Sequence, residues 1–173
     1  MRTVVIGPNP DVEAVIARRH ALGLDRYDEV WEGEYHMTPG PSGPHAVLDH
    51  ALALFLGPRA KTAGLVGTSA FNLGQPNDYR VPDGGYHREL PTGTWVPTAA
   101  VVVEIVSPDD ETYEKFGFYA RRAEELIVVD PTKRTVECYV SDGQNLVTSD
   151  RSTMLGVLPR KSPRCFPGHR DCP

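Results

Sequence analysis

The chain has few cysteines, no excess of positive charge and no long apolar run among its 173 residues. Its three cysteines, Cys138 in a strand-like stretch and Cys165 with Cys172 near the end, form neither an even nor a dense set. A disulfide-built secreted scaffold is therefore excluded, and a reducing compartment fits. No segment approaches the roughly 18 consecutive apolar residues of a membrane-spanning helix. The opening Met1-Arg2-Thr3-Val4-Val5-Ile6 is too short for the core of a signal peptide. The expectation is a soluble cytoplasmic protein with no membrane partner. Internal repeats and linkers are also missing, and the length suits one hydrophobic core, so one domain is expected over 1–158.

The formal charge of −5 conceals an asymmetry, because residues 159–173 carry four Lys/Arg against one Asp and the remainder bears −8. An acidic body lacks the bulk footprint of a nucleic-acid binder, so a polyanionic partner would need divalent cations or a local basic patch. The last fifteen residues, PRKSPRCFPGHRDCP, hold one aromatic among Pro, Arg and Gly. They cannot bury enough surface to order themselves and are expected to form a flexible basic tail, whose +3 charge suits contact with phosphates. Cys165, His169 and Cys172 are of zinc-binding types, but structural zinc takes four ligands and no CxxC is present. A flexible tail, or a local disulfide on oxidation, explains them as well.

Asn9-Pro10 reads as an N-cap followed by proline at the first helical position, with Val12, Val15, Ile16 and Leu22 recurring at helical spacing to Gly23. Tyr27 to His36 alternates as a strand or a hairpin turning at Glu32-Gly33, and a Pro/Gly-rich turn follows. A second helix is expected from Ser42–His45 to Gly57, where Pro58 opposes continuation. Three strands are expected at Ala63–Leu73, Tyr79–His87 and Ala99–Val106. Ser107-Pro108-Asp109-Asp110 supplies a hydroxyl cap, a proline and first-turn acids, opening a third helix to about Ala123. Glu125–Asp130, Thr135–Val140 and Leu146–Thr148 complete a terminal meander.

One carboxylate stands out. The stretch Thr98 to Ser107 (TAAVVVEIVS) is apolar on both alternating sets of side chains, the mark of a strand covered on both faces, and Glu104 lies inside it. A buried carboxylate takes up a proton, pairs with a cation or ligates a metal; alternatively it lies near the strand end and reaches solvent or an arginine. Asp83, in Val81-Pro82-Asp83-Gly84-Gly85, occupies a comparable place in the neighbouring strand-like run. The two glycines permit close approach, or mark an ordinary bulge. Mg²⁺ needs only one or two protein carboxylates, with water and phosphate completing the octahedron. Lys115, in the following helix, would project back over the acids as a compact charge suited to a phosphoryl transition state; its bland alternative is a solvated pair with Glu111 at i,i+4. Tyr119 shares its face at i+4.

The ordered set Pro82-Asp83, Val103-Glu104-Ile105-Val106-Ser107-Pro108, Lys115, Tyr119 and Val129-Asp130-Pro131 resembles the bacterial Uma-type restriction-endonuclease family of the PD-(D/E)xK nuclease superfamily. Tyr27 to Glu34, Met37-Thr38-Pro39 and His45 agree with its upstream layout, so the resemblance covers about residues 25–148. It implies an α/β, restriction-endonuclease-like core with a central mixed β-sheet flanked by α-helices. It also implies Mg²⁺ or Mn²⁺ held by Asp83 and Glu104, Lys115 as the catalytic lysine, and hydrolysis of phosphodiester bonds in DNA. Glu34 and His45 would line the same cleft, although a helix-start histidine satisfied by backbone is the plainer reading of His45. The superfamily's usual lysine position, two places after the second acid, is Val106, and in this family the following helix supplies the lysine instead. The segment Arg121–Leu126 departs from the family wording, as does the proline-rich C-terminus. A homodimer follows from the resemblance, since two-strand cleavage favours paired sites. The rival is a non-catalytic nucleic-acid-binding or regulatory module that keeps the fold.

Overall fold

The computed structural model describes residues 3–5, 9–107 and 111–161. The chain runs through β1 (Thr3–Val5), α1 (Pro10–Ala21), a hairpin of β2 (Glu29–Trp31) and β3 (Glu34–Met37), and α2 (Gly43–Thr62). It continues with β4 (Val66–Ser69), β5 (Asn72–Gln75), β6 (Asp78–Arg80), β7 (Gly84–His87), β8 (Trp95–Val96) and β9 (Ala99–Ile105). A 3₁₀ turn at Thr112–Lys115 leads into α3 (Phe116–Ala120), followed by β10 (Ala123–Asp130), β11 (Thr135–Ser141), β12 (Leu146–Ser149) and β13 (Arg160–Lys161).

Two mixed sheets result, the expected central mixed sheet and a second, smaller one. One has seven strands in the order β12-β11-β10-β9-β7-β4, with β13 beside β11; the other has six in the order β1-β3-β2-β6-β5-β8. The parallel pair β9–β10 lies inside the larger sheet and β5–β8 is the parallel pair of the smaller. Along β9 the side chains alternate: Val101, Val103 and Ile105 pack with Leu48, Leu52, Leu56 and Ala60 of α2, while Val102 packs with Phe118, Tyr119, Leu126 and Leu73. Glu104 shares the face of Val102 by period-two alternation, and so points toward α3 and the smaller sheet.

Several expectations hold. Asn9 caps α1 by accepting from Asp11 N, and α2 starts within the expected Ser42–His45, where the structure adds Ser42 as its cap. The β2–β3 hairpin turns at Glu32 and Gly33, both at positive φ (51° and 91°), the type I′ geometry that matches strand twist. Others are corrected. The expected strands 63–73 and 79–87 are each broken, because the chain changes sheets after Ser69 and again across Val81-Pro82-Asp83. Proline cannot donate to a ladder, so Pro82 fits the second break. The second helix runs past Pro58 to Thr62. Pro58 sits on the exposed side, where the carbonyl it leaves unbonded can be hydrated, while Leu56 and Ala60 stay buried on either side of it. The third helix is only five residues long after its 3₁₀ turn; Pro108, Asp109 and Asp110 lie outside the described residues. Arg160 and Lys161, expected in the tail, pair with Val136 and Thr135. The remainder of that tail, including Cys165, His169 and Cys172, lies outside the described residues.

Candidate active site

Asp83 and Glu104 meet through strand register. β7 and β9 pair antiparallel with Gly84 opposite Val103, and one further step places Asp83 opposite Glu104. Ile105 N donates to Asp83 Oδ2 at 2.7 Å, fixing the carboxylate against the carboxyl end of β9. Of the two adjacent glycines, Gly85 is the constrained one: a Cβ there would lie 2.4 Å from the Phe71 ring. Ends of this kind, where parallel strands stop and the chain turns away, are where open α/β sheets bind ligands.

His45, on the first turn of α2, bridges two groups, with Nε2 2.8 Å from Asp83 Oδ1 and Nδ1 3.0 Å from Ser107 Oγ. The bond to Asp83 raises the imidazole above its ordinary pKa, against the effect of burial, and the charges of Asp83, Asp49 and Glu104 add to the rise. Asp49 stands one helical turn on; burial, then the nearby Asp83 charge, holds its carboxyl above the usual range.

Glu104 is only 4% exposed. Tyr119 OH donates a short hydrogen bond to its Oε1, and Lys115 Nζ lies 3.3 Å from the same oxygen. Burial raises the carboxyl, Lys115 offsets part of that, and the neighbouring Asp83 charge pushes it further, to about 8. The Tyr119 phenol is held well above its ordinary value by burial and then by the Glu104 charge. Lys115 also reaches Glu29 Oε1 at 2.9 Å.

These groups line one cleft of about 460 Å³. Glu29, His45, Asp49, Asp83, Glu104 and Lys115 all face it, and Tyr27, Pro39 and Pro41 help form its wall. Asp83, Glu104, Lys115 and His45 are thus brought together, and Tyr119 lies buried beneath them. Glu34 is not. It sits exposed at the turn end of the hairpin and borders a separate depression with Trp31, Arg80 and Glu114. β2–β3 register sets Glu34 opposite Trp31, two residues along from Glu29, a shift of about 7 Å. Glu29 therefore occupies the cleft in its place. Sequence reading missed Glu29 because residues 29, 31, 34 and 36 share one face of the hairpin and periodicity cannot choose among them. Asp49 was also missed, although its i+4 spacing from His45 was readable. A larger depression, about 970 Å³, lies at the opposite ends of β9 and β10.

The donor set fits a divalent cation. Asp49, Asp83, Glu104 and Glu111 line the cleft with Glu29, against Arg26, His45 and Lys115, and burial first, then the Asp83 charge, raises the Glu104 carboxyl beyond what Lys115 offsets. The bonds from Lys115 and Tyr119 both fall on Oε1, which leaves Oε2 for a ligand. Among the described residues no group of three or more His, Cys, Asp or Glu is arranged to hold a metal alone, so water and a substrate oxygen would complete the shell, the usual Mg²⁺ pattern.

The cleft thus brings paired strand-end acids and a lysine together between two mixed sheets. The chain belongs to the family described as "Putative restriction endonuclease" (Uma2), whose model matches residues 23–164. Among solved structures it is similar to a protein of Anabaena variabilis titled "a putative nuclease belonging to DUF820". The TM-score is 0.60 at 17% identity, covering 72% of this chain and 76% of that one. At that identity the likeness speaks to the fold, which is restriction-endonuclease-like. No curated protein matches the chain. Among the described residues, no helix is long and apolar enough to cross a membrane.

Proposed function

We propose that this protein is a metal-dependent endonuclease that hydrolyses phosphodiester bonds in DNA, with Asp83 and Glu104 as the Mg²⁺ or Mn²⁺ ligands and Lys115 as the catalytic lysine. The observation that carries this reading is the convergence of Asp83, Glu104 and Lys115 in one cleft from three separate elements. A divalent cation held there would supply Lewis acidity toward the scissile phosphate and charge compensation for the acids.

The chain's own residues have distinct tasks. Lys115, an ammonium within reach of the acids, offsets charge that develops on the transferring phosphoryl group. His45 and Ile105 N orient Asp83 from two sides. Tyr119 holds Glu104 by one oxygen from below. The acidic body discourages a polyanion until the cleft charge is compensated, which links substrate binding to the cation. A second copy of the chain would carry a second cleft to the opposite strand, and on that ground the protein acts as a homodimer; the cytoplasm is the compartment that its cysteine-poor sequence suits.

The test is Mg²⁺- and Mn²⁺-dependent cleavage of plasmid, linear duplex and single-stranded DNA, with calorimetry of metal binding. Cleavage and metal binding that vanish in Asp83→Ala and Glu104→Ala support the reading. Cleavage that survives both substitutions ends the role assignment. A folded protein without metal binding or cleavage is instead the non-catalytic module.

A further inference from the structure

Glu29 belongs to the smaller sheet, yet its carboxylate reaches the site built on the larger one. It is 3% exposed and tightly held. Oε1 accepts from Val81 N at 2.9 Å and from Lys115 Nζ at 2.9 Å, and Oε2 accepts from Trp31 Nε1 at 2.7 Å. Burial alone would raise its carboxyl, but the Lys115 charge and the Val81 amide hold it below the usual carboxylate range. Lys115 therefore stands between two buried carboxylates of opposite sheets, nearer to Glu29 than to Glu104 (2.9 Å against 3.3 Å).

We infer that Glu29 is the positioning residue for Lys115: it anchors the ammonium on the far side of the cleft and so keeps Glu104 available to a cation. The inference rests on the metal-site reading above. Its physical basis is competition. A part-buried ammonium that loses one of two carboxylate partners leans more heavily on the other. With Glu29 present the ammonium is shared, and Glu104 retains an oxygen outside that pairing. Glu29 is poorly placed to be a metal ligand itself, since both its oxygens already accept from fixed donors. The anchor also sets where the ammonium meets a substrate phosphate, and a small displacement there is costly in catalysis.

A double-mutant cycle tests this with Glu29→Gln, which keeps shape and one acceptor oxygen, and Lys115→Met. Mn²⁺ affinity is read by calorimetry on the full chain. Glu29→Gln should weaken Mn²⁺ binding about tenfold when Lys115 is present and less than about twofold in the Lys115→Met background, the signature of a role exerted through the lysine. Equal losses in both backgrounds, or no loss in either, overturn the inference. A second readout needs no metal: solvent exchange of the Lys115 ammonium protons, followed by nitrogen NMR, should accelerate in Glu29→Gln. Unchanged exchange overturns the anchor whatever the metal does, whereas wild-type protein that binds no Mn²⁺ overturns the metal-site reading and leaves exchange to decide the anchor. Trp31→Phe, a milder disturbance of the same carboxylate, must shift the exchange in the same direction, and no shift there overturns the assignment even if Glu29→Gln is too unstable to purify.

Discussion

Two buried glutamates on neighbouring strands receive opposite treatment. Glu125, on β10, is 2% exposed. It accepts from Ser152 Oγ, from Thr153 N and Oγ1, and from Met154 N, all neutral donors of one loop. Glu104, on β9, receives one tyrosine and a shared lysine on a single oxygen and otherwise faces Asp83 and Glu29. Burial is nearly the same in both cases. The difference lies in the company. A carboxylate whose donors come from one well-formed loop fastens that loop, while one buried beside other acids has its carboxyl raised, by burial first and then by the Asp83 charge, to about 8.

The comparison breaks most sharply on activity. Asp83→Ala or Glu104→Ala should reduce DNA cleavage about a thousandfold or more, since several kcal/mol of transition-state stabilisation leave with the cation, whereas Glu125→Ala should leave the turnover of folded molecules unchanged. Stability should reverse the order. Glu125→Ala strands four donors, two of them backbone amides, and is expected to cost about 3 kcal/mol or more in denaturant unfolding; Glu104→Gln should not destabilise the metal-free protein at neutral pH.

Titration sharpens the same contrast. The Glu104 carboxyl rises from its ordinary 4.5 to about 8 on folding, so the folded state binds the extra proton. Metal-free stability should accordingly fall as pH rises between those values, by a few kcal/mol in total at about 1.4 kcal/mol per pH unit, and Glu104→Gln should remove that slope. His45 contributes a smaller effect. Its folded pKa is raised by Asp83, so its stabilisation is full below the ordinary imidazole value and is lost as pH climbs through the folded one; His45→Gln should flatten that part of the curve by about 1 kcal/mol or less. Glu34→Ala, at an exposed hairpin position, should change stability by less than about 0.5 kcal/mol and leave metal affinity untouched.

The legible parts of this molecule were those written in local pattern. Glu104 announced itself as a charge within an apolar strand, and chain order tied it to Asp83 and Lys115. The cap at Asn9, the start of the second helix and the Glu32-Gly33 turn were readable because their chemistry is confined to a few residues. Sheet membership was not. The runs 63–73 and 79–87 look continuous in hydrophobicity, yet each passes from one sheet to the other, a long-range event to which side-chain alternation is blind. Glu29 was hidden for the same reason: its partner Lys115 is 86 residues away, and only the packing of one sheet on the other reveals which hairpin acid faces the cleft.

The Trp31–Glu29 hydrogen bond has an optical consequence. Indole emission responds to charge and hydrogen bonding around the ring, and the sole other tryptophan, Trp95, borders the depression at the opposite strand ends. The protein thus carries its own fluorophore one bond removed from the Lys115 pairing, and a cation titration followed by tryptophan emission would read the cleft directly, with no label and no substrate.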